Sequence, residues 1–214
     1  FNWSLKEGSL PESKAGLYRQ AMADFYDWKR TNFSTTNAQR EQLNKALGEL
    51  AREAIDGKGT RFRFGKNFVE SFLGEAEEPK SLFWMALKLG WLNQVGVEYN
   101  SRDKAYAFFH PTFQEYFSAL SIEDPHFFLN HFPDEPSRKD SAYRIFEPHW
   151  QEIYSLWLGR HSIRDEVKDS LIAMLVEFED TTDAYYRQRA ILIAAVGIAE
   201  YRKSNKAKQL IEQL

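Results

Sequence analysis

Apolar residues recur at helical spacing from Leu17 onward. Leu17, Ala21, Met22, Phe25, Tyr26 and Trp28 form one stripe, and Ser13 stands where a cap is needed, so a helix is expected from Ser13 to Lys29 or Arg30. Leu43, Leu47, Leu50, Ala51 and Ala54 form a second stripe. Thr36 with Gln39 three residues on reads as a capping box at its start, and Gly57 as its stop. The period then changes. Arg61-Phe62-Arg63-Phe64 alternates like a short strand, and 67–73 reads as a short helix. A helix over 81–89 runs into Gly90. Val95, Val97 and Tyr99, a turn at Asn100-Ser101-Arg102-Asp103, and 105–109 then predict a β-hairpin. Pro111 starts another helix, because proline suits the first helical position, with Phe113, Phe117 and Leu120 on its buried face.

Past Ile122 the strand signals stop. Residues 147–158, 164–178, 183–203 and 206–214 read as successive helices. The stretch 190–199 is apolar nearly all round, which predicts a helix covered on several sides, as in a stacked helical repeat. Helices followed by a hairpin, with a short strand upstream, is the plan of a winged helix. The expected fold class is therefore mainly α. A polar lead-in occupies 1–13, a winged-helix domain with a small β-hairpin 14–122, and a HEAT-like helical domain 123–214.

Composition narrows the chemistry. The chain of 214 residues has no cysteine, which excludes a disulfide scaffold, a thiolate metal site and a cysteine nucleophile. Lys and Arg number 28 against 31 Asp and Glu, for a net charge of -3, so there is no bulk basic surface for duplex DNA. The apolar run 190–199 is too short for a membrane span, and Phe1 opens no signal-peptide pattern. These features lead us to expect a piece of a longer, cytoplasmic protein with neither membrane nor nucleic acid as partner.

Motifs are few. Gly59 to Asn67 approximates a phosphate-binding loop, but it has one spacer residue too many and Asn67 replaces the hydroxyl that would ligate magnesium. Lys58, Arg61, Arg63 and Lys66 form a local basic cluster. Four charges release too few counterions for tight nucleic-acid binding, so a solvated face or pairing with Glu75, Glu77 and Glu78 is expected. The 81–89 helix, in the place of a recognition helix, carries Leu82, Phe83, Trp84, Met85, Ala86, Leu87 and Leu89 with Lys88 as its one charge. That composition calls for burial against protein rather than a major groove. Of the five histidines, His126, His131, His149 and His161 show no metal-ligand spacing and are read as packing or surface residues. No metal site, no catalytic residue and no G-x-S-x-G elbow is expected. His110 differs by position. It lies where the hairpin ends and the Pro111 helix begins, so the first-turn N–H groups of Thr112 and Phe113 and an imidazole would meet at one point. That arrangement suits an anion, and it equally suits a plain helix cap.

Phe108-Phe109-His110-Pro111-Thr112-Phe113-Gln114-Glu115-Tyr116-Phe117-Ser118-Ala119-Leu120 resembles a signature of NACHT-family NTPases, in which an aromatic pair, a histidine and T-F-Q-E-aromatic-F-A-A-L close the winged helix. Leu10-Pro11-Glu12-Ser13-Lys14-Ala15-Gly16-Leu17-Tyr18 is similar to the segment that leaves their ATPase core. Phe146 to Glu152 with Leu158-Gly159 is similar to a helix after their winged helix, and Tyr186 to Ala199 to a HEAT-type helix. Pro111 and Ser118 depart from the family pattern without touching the histidine. The resemblance implies a signal-transducing ATPase switch, with 1–13 a linker from a missing NTPase core. It implies that His110 contacts the β-phosphate of ADP, and only in the intact parent. ADP or ATP with magnesium would be the parent's cofactors, while the fragment, lacking Walker A and B residues, would hold none and catalyse nothing. Its partners would be its own NTPase core, protein partners, or further copies on activation. The rival expectations are an autonomous winged-helix DNA-binding regulator and, with no motif in its favour, a self-contained hydrolase.

Overall fold

The computed structural model describes residues 11–57, 61–98, 102–129, 143–179 and 185–205. Contacts divide the chain into two units, one spanning 22–122 and the other combining 1–21 with 123–214. Among the described residues the structure is mainly helical with one small antiparallel sheet.

Helix α1 (Lys14–Lys29) gives its first residues to one unit and its last to the other. Ser13 caps it, its Oγ accepting from the Gly16 N–H at 3.1 Å. Helix α2 (Asn37–Asp56) opens on the expected capping box. The Thr36 N–H donates to Gln39 Oε1 at 2.9 Å and the Gln39 N–H to Thr36 Oγ1 at 3.2 Å. All five residues of the α2 stripe are buried. Strand β1 (Phe64–Gly65) and helix α3 (Lys66–Leu73) follow. Ser81 caps helix α4 (Leu82–Leu89), and Gly90 ends it at φ 89, a left-handed conformation that a side chain would strain. Strands β2 (Leu92–Val97) and β3 (Lys104–Phe108) pair with a bulge between Gln94 and Gly96, and β1 adds to the other side of β3, giving the order β1-β3-β2. Helix α5 (Pro111–Ser121) begins at proline as expected. Its buried side is wider than Phe113, Phe117 and Leu120. Gln114, Tyr116, Ser118 and Ala119 are also enclosed, because α5 packs along α2 while its start lies on the sheet. The core of this unit gathers around Trp91, whose ring meets Phe25, Tyr26, Phe113 and Phe117 at centroid distances of 4.2–5.5 Å.

Three apolar residues of the expected α1 stripe and hairpin face outward. Trp28, assigned to the α1 stripe, is 65% exposed, with the Lys29 ammonium 4.6 Å from its ring and Phe25 edge-on at 5.9 Å. Val95 and Val97 point outward, since the bulge at Gly96 moves the strand's contact with the core back to Leu92. The turn at Asn100-Ser101 lies outside the described residues.

The other unit holds two 3-10 segments that the helical period does not announce, Pro125–Leu129 and Arg144–Phe146. Helices α6 (Pro148–Leu158), α7 (Asp165–Val176) and α8 (Tyr185–Glu200) follow. Phe128 is enclosed by Trp150, Tyr154 and Trp157, and Phe146 by Tyr143, Phe178 and Tyr186. Within 190–199, Ala190, Ile193, Ala194 and Gly197 are buried, whereas Leu192 and Val196 stand open at 57% and 58% exposure. The all-round cover expected for α8 is therefore incomplete on one face. The 206–214 helix and the Asp183 start of α8 lie outside the described residues. No described helix is long and apolar enough to cross a membrane.

Candidate functional site

His110 is the N-cap of α5. Its extended backbone, φ -147 and ψ 142, turns the chain from β3 into the helix. The imidazole folds back over its own first turn, Nδ1 accepting from the Thr112 N–H at 3.3 Å and lying 2.9 Å from Thr112 Oγ1. The His110 carbonyl takes the Phe113 N–H at 3.0 Å and the Gln114 N–H at 3.4 Å. Both amides that the sequence offers to an anion, Thr112 and Phe113, are thus engaged within the chain. With Nδ1 held against Thr112, Nε2 is the ring nitrogen left for a partner beyond the first turn, on an exposed residue.

The rest of the motif is anchored. Phe108 and Phe117 are buried and lie 5.9 Å apart, and Phe113 meets Trp91 at 5.2 Å. Gln114, 1% exposed, donates through Nε2 to the Arg61 carbonyl at 2.7 Å, and Glu115 pairs with the Arg61 guanidinium at 2.8 Å. The Phe109 N–H donates to the Trp91 carbonyl at 2.9 Å, which fixes the backbone leading into His110. Its ring is 54% exposed and lies 6.1 Å from Phe25. Lys29 approaches the same surface, its ammonium 5.5 Å from the Phe25 ring centroid. The open Phe109 face and the Lys29 cation therefore both lie against Phe25. Phe109 and Lys29 were not singled out by motif reasoning. The exposed aromatic beside a histidine inside an otherwise inward-facing motif is the signal that finds the first.

The basic cluster does not converge. Arg61 is held by Glu115, Arg63 donates to the Val97 carbonyl at 2.6 Å, and Lys66 pairs with Glu77 at 2.9 Å and Glu70 at 3.4 Å. The Glu77 hydrogen bond raises the Lys66 pKa, and Lys66 in turn lowers that of Glu77. Lys58 lies outside the described residues. Helix α4 buries Phe83, Met85, Ala86 and Leu89 and half-buries Leu82, Trp84 and Leu87, so it presents little to a DNA groove. His126 Nδ1 lies 2.8 Å from Asp124 Oδ1, and the His126 backbone N–H, first, and its ring, second, hold the Asp124 carboxyl below the usual range. His149 packs half-buried beside Trp150, His161 is exposed, and His131 is outside the described residues. Among the described residues no group of three His, Asp or Glu side chains is placed to hold a metal. No protein-family model matches the chain, and no curated protein matches it by sequence.

Proposed function

We propose that this chain is a non-catalytic regulatory module of a NACHT-type signal-transduction ATPase. Its winged helix, within 14–122, closes over ADP or ATP held with magnesium by an NTPase core outside the chain, and His110 touches the β-phosphate. The HEAT-like helices of 123–214 pass on the binding of a ligand or protein partner, with self-association on activation. The observation that carries the reading is the division of labour within 108–117. Phe108, Phe113, Gln114, Glu115, Tyr116 and Phe117 hold the hairpin-to-helix corner together, while His110, its Nδ1 against Thr112, keeps Nε2 for an outside partner. The order helix, strand, helix, helix, strand, strand, with the first strand pairing the third, supports the winged-helix part. The burial of α4 weighs against an autonomous DNA-binding regulator, which needs that helix outward.

Calorimetry with ADP tests the proposal on two proteins, the chain alone and the chain joined to its core. Alone, it binds no tighter than millimolar, because one imidazole lacks the backbone cradle and lysine of a phosphate-binding loop. Joined, His110→Ala weakens ADP roughly 10- to 150-fold, the worth of one charge-assisted contact. Micromolar ADP binding by the chain alone, or no change on His110→Ala in the joined protein, overturns the reading.

A further inference from the structure

Helix α8 carries an apolar stripe that none of the foregoing uses. Its inner face is fixed by close contact with α6, since Gly197 lets the backbone lie on the Tyr154 ring and Leu158, where a Cβ would collide. The opposite face is thereby held outward. Gln188, Leu192, Val196 and Ala199 are exposed along it, with Ala195 half-buried between them. No charged residue falls between Arg189 and Glu200. Beside the stripe runs a groove of about 230 Å³, lined by Gln151 and Tyr154 of α6 and by Leu192, Ile193 and Val196 of α8. A helix that closes a stack toward water carries a polar outer face, and this one does not.

The order of side chains along the stripe says what covers it. Positions 188, 192, 195 and 199 follow the four-three-four spacing of a helix seam. Laid antiparallel on a second copy of itself, the seam sets 188 opposite 199 and 192 opposite 195. Leu192, the largest apolar group of the stripe, then meets Ala195 of the second copy on each side of the two-fold axis, large against small. The same operation sets Arg187 opposite Glu200 at both ends of the pair. Arg187 is exposed, and Glu200 is held in place by the Lys14 N–H at 2.9 Å. A parallel arrangement would instead oppose Arg187 to Arg187 and Leu192 to Leu192.

We propose that the chain forms a two-fold dimer in which α8 packs antiparallel against α8 of a second copy. The axis passes between Leu192 and Ala195, and Arg187 with Glu200 closes each end. The groove alongside receives the flank of the incoming helix. With fewer residues a side than the roughly 20–30 of a standard interface, the pair dissociates on the order of 10–100 µM. The pairing involves no nucleotide and does not rest on the reading of His110.

Sedimentation equilibrium of the 214-residue chain tests it, with a monomer–dimer equilibrium expected. Leu192→Glu, at an exposed position, leaves melting of the dilute chain unchanged and weakens the dimer roughly 30-fold or more, the loss of a central anchor. Orientation is read by cross-linking, which the absence of cysteine makes clean. Gln188→Cys and Ala199→Cys are made as separate variants and oxidised in air with copper–phenanthroline. Mixed, they form a disulfide-linked pair. Alone, neither does, because residues 188 of the two copies stand about 16 Å apart along the axis. His110→Ala leaves the dimer unchanged, so failure here and failure of the nucleotide reading are told apart. A chain that stays monomeric at about 500 µM, several times the weakest dissociation constant expected, overturns the proposal and leaves the face to a different partner. So does a dimer indifferent to Leu192→Glu, or one in which each cysteine variant links to itself.

Discussion

The proposed reading gives the two ring nitrogens of His110 separable tasks, and two substitutions separate them. Asparagine at 110 keeps an acceptor where Nδ1 stands and is among the best N-cap residues, but it has nothing at the position of Nε2. Glutamine places an amide N–H near the position of Nε2 and reaches past the cap. The cap bond is long, 3.3 Å, and exposed, so losing it should cost about 0.5 kcal/mol, the low end for a cap. In a unit of this size that is a fall of about 2–4 °C in Tm. Melting of the chain alone should therefore be unchanged for His110→Asn and lowered by about 2–4 °C for His110→Gln. ADP affinity in the chain joined to its NTPase core should invert the order. Asparagine loses roughly 10- to 150-fold, and glutamine stays within a few-fold of histidine. If ADP binds mainly the closed form, the asparagine variant also shifts the population toward the open form by the same factor. An asparagine variant that holds ADP as tightly as histidine refutes the contact, since nothing at its tip can donate to phosphate in the geometry of Nε2.

Three further outcomes are expected. Tyr154→Phe should raise stability by about 1 kcal/mol in thermal unfolding, because the buried hydroxyl has no hydrogen-bond partner among the described residues and burial alone pushes its pKa up. Gly159→Ala should lower stability by about 1–3 kcal/mol, since its methyl would press on Ser13 and Ala15, both 3.0–3.1 Å away and part of the α1 start. Lys168→Met should be neutral or stabilising by about 1 kcal/mol at pH 7, and this advantage should shrink as pH rises toward 10.5. The sign follows from linkage. A lysine whose folded pKa is depressed loses its proton first in the folded state, so the wild type gains stability relative to the variant as pH climbs between the folded and unfolded values. Tyr201, pushed up to about 12 chiefly by burial, makes both proteins less stable above pH 10, so the comparison is read below that pH. A gap that widens with pH contradicts the burial of the charge.

Helix boundaries were legible where a local signal closes them. Thr36 with Gln39, Ser81, Gly90 and Pro111 act within one turn, and each stands where the chain starts or stops a helix. The faces were less legible, because they depend on partners far along the chain. Trp28 and Val97 fit an apolar period and still face outward, and no local rule distinguishes them from Phe25 or Leu92. Gln114 shows the reverse. It reads as polar and exposed, and its burial follows from a carbonyl 53 residues away. Of the candidate site, the position of His110 was legible from the hairpin-to-proline junction. The use of Nδ1 as the cap acceptor was not, because it depends on a side-chain rotation that spacing does not encode. Lys168 left a trace in sequence, since it falls on the period of Leu171, Ile172 and Leu175, three, four and seven residues on, where an apolar residue belongs.

The hydroxyls of Ser118 and Tyr154 and the indole N–H of Trp150 are buried without hydrogen bonds among the described residues. A neutral hydroxyl or indole left so costs about 1–3 kcal/mol, which a well-packed core absorbs. Lys168 shows how a charged group on the same kind of apolar stripe is accommodated instead. Its stem lies under cover and its ammonium stands over the Tyr201 ring at 4.9 Å, with Asp165 countering part of the cost of burial.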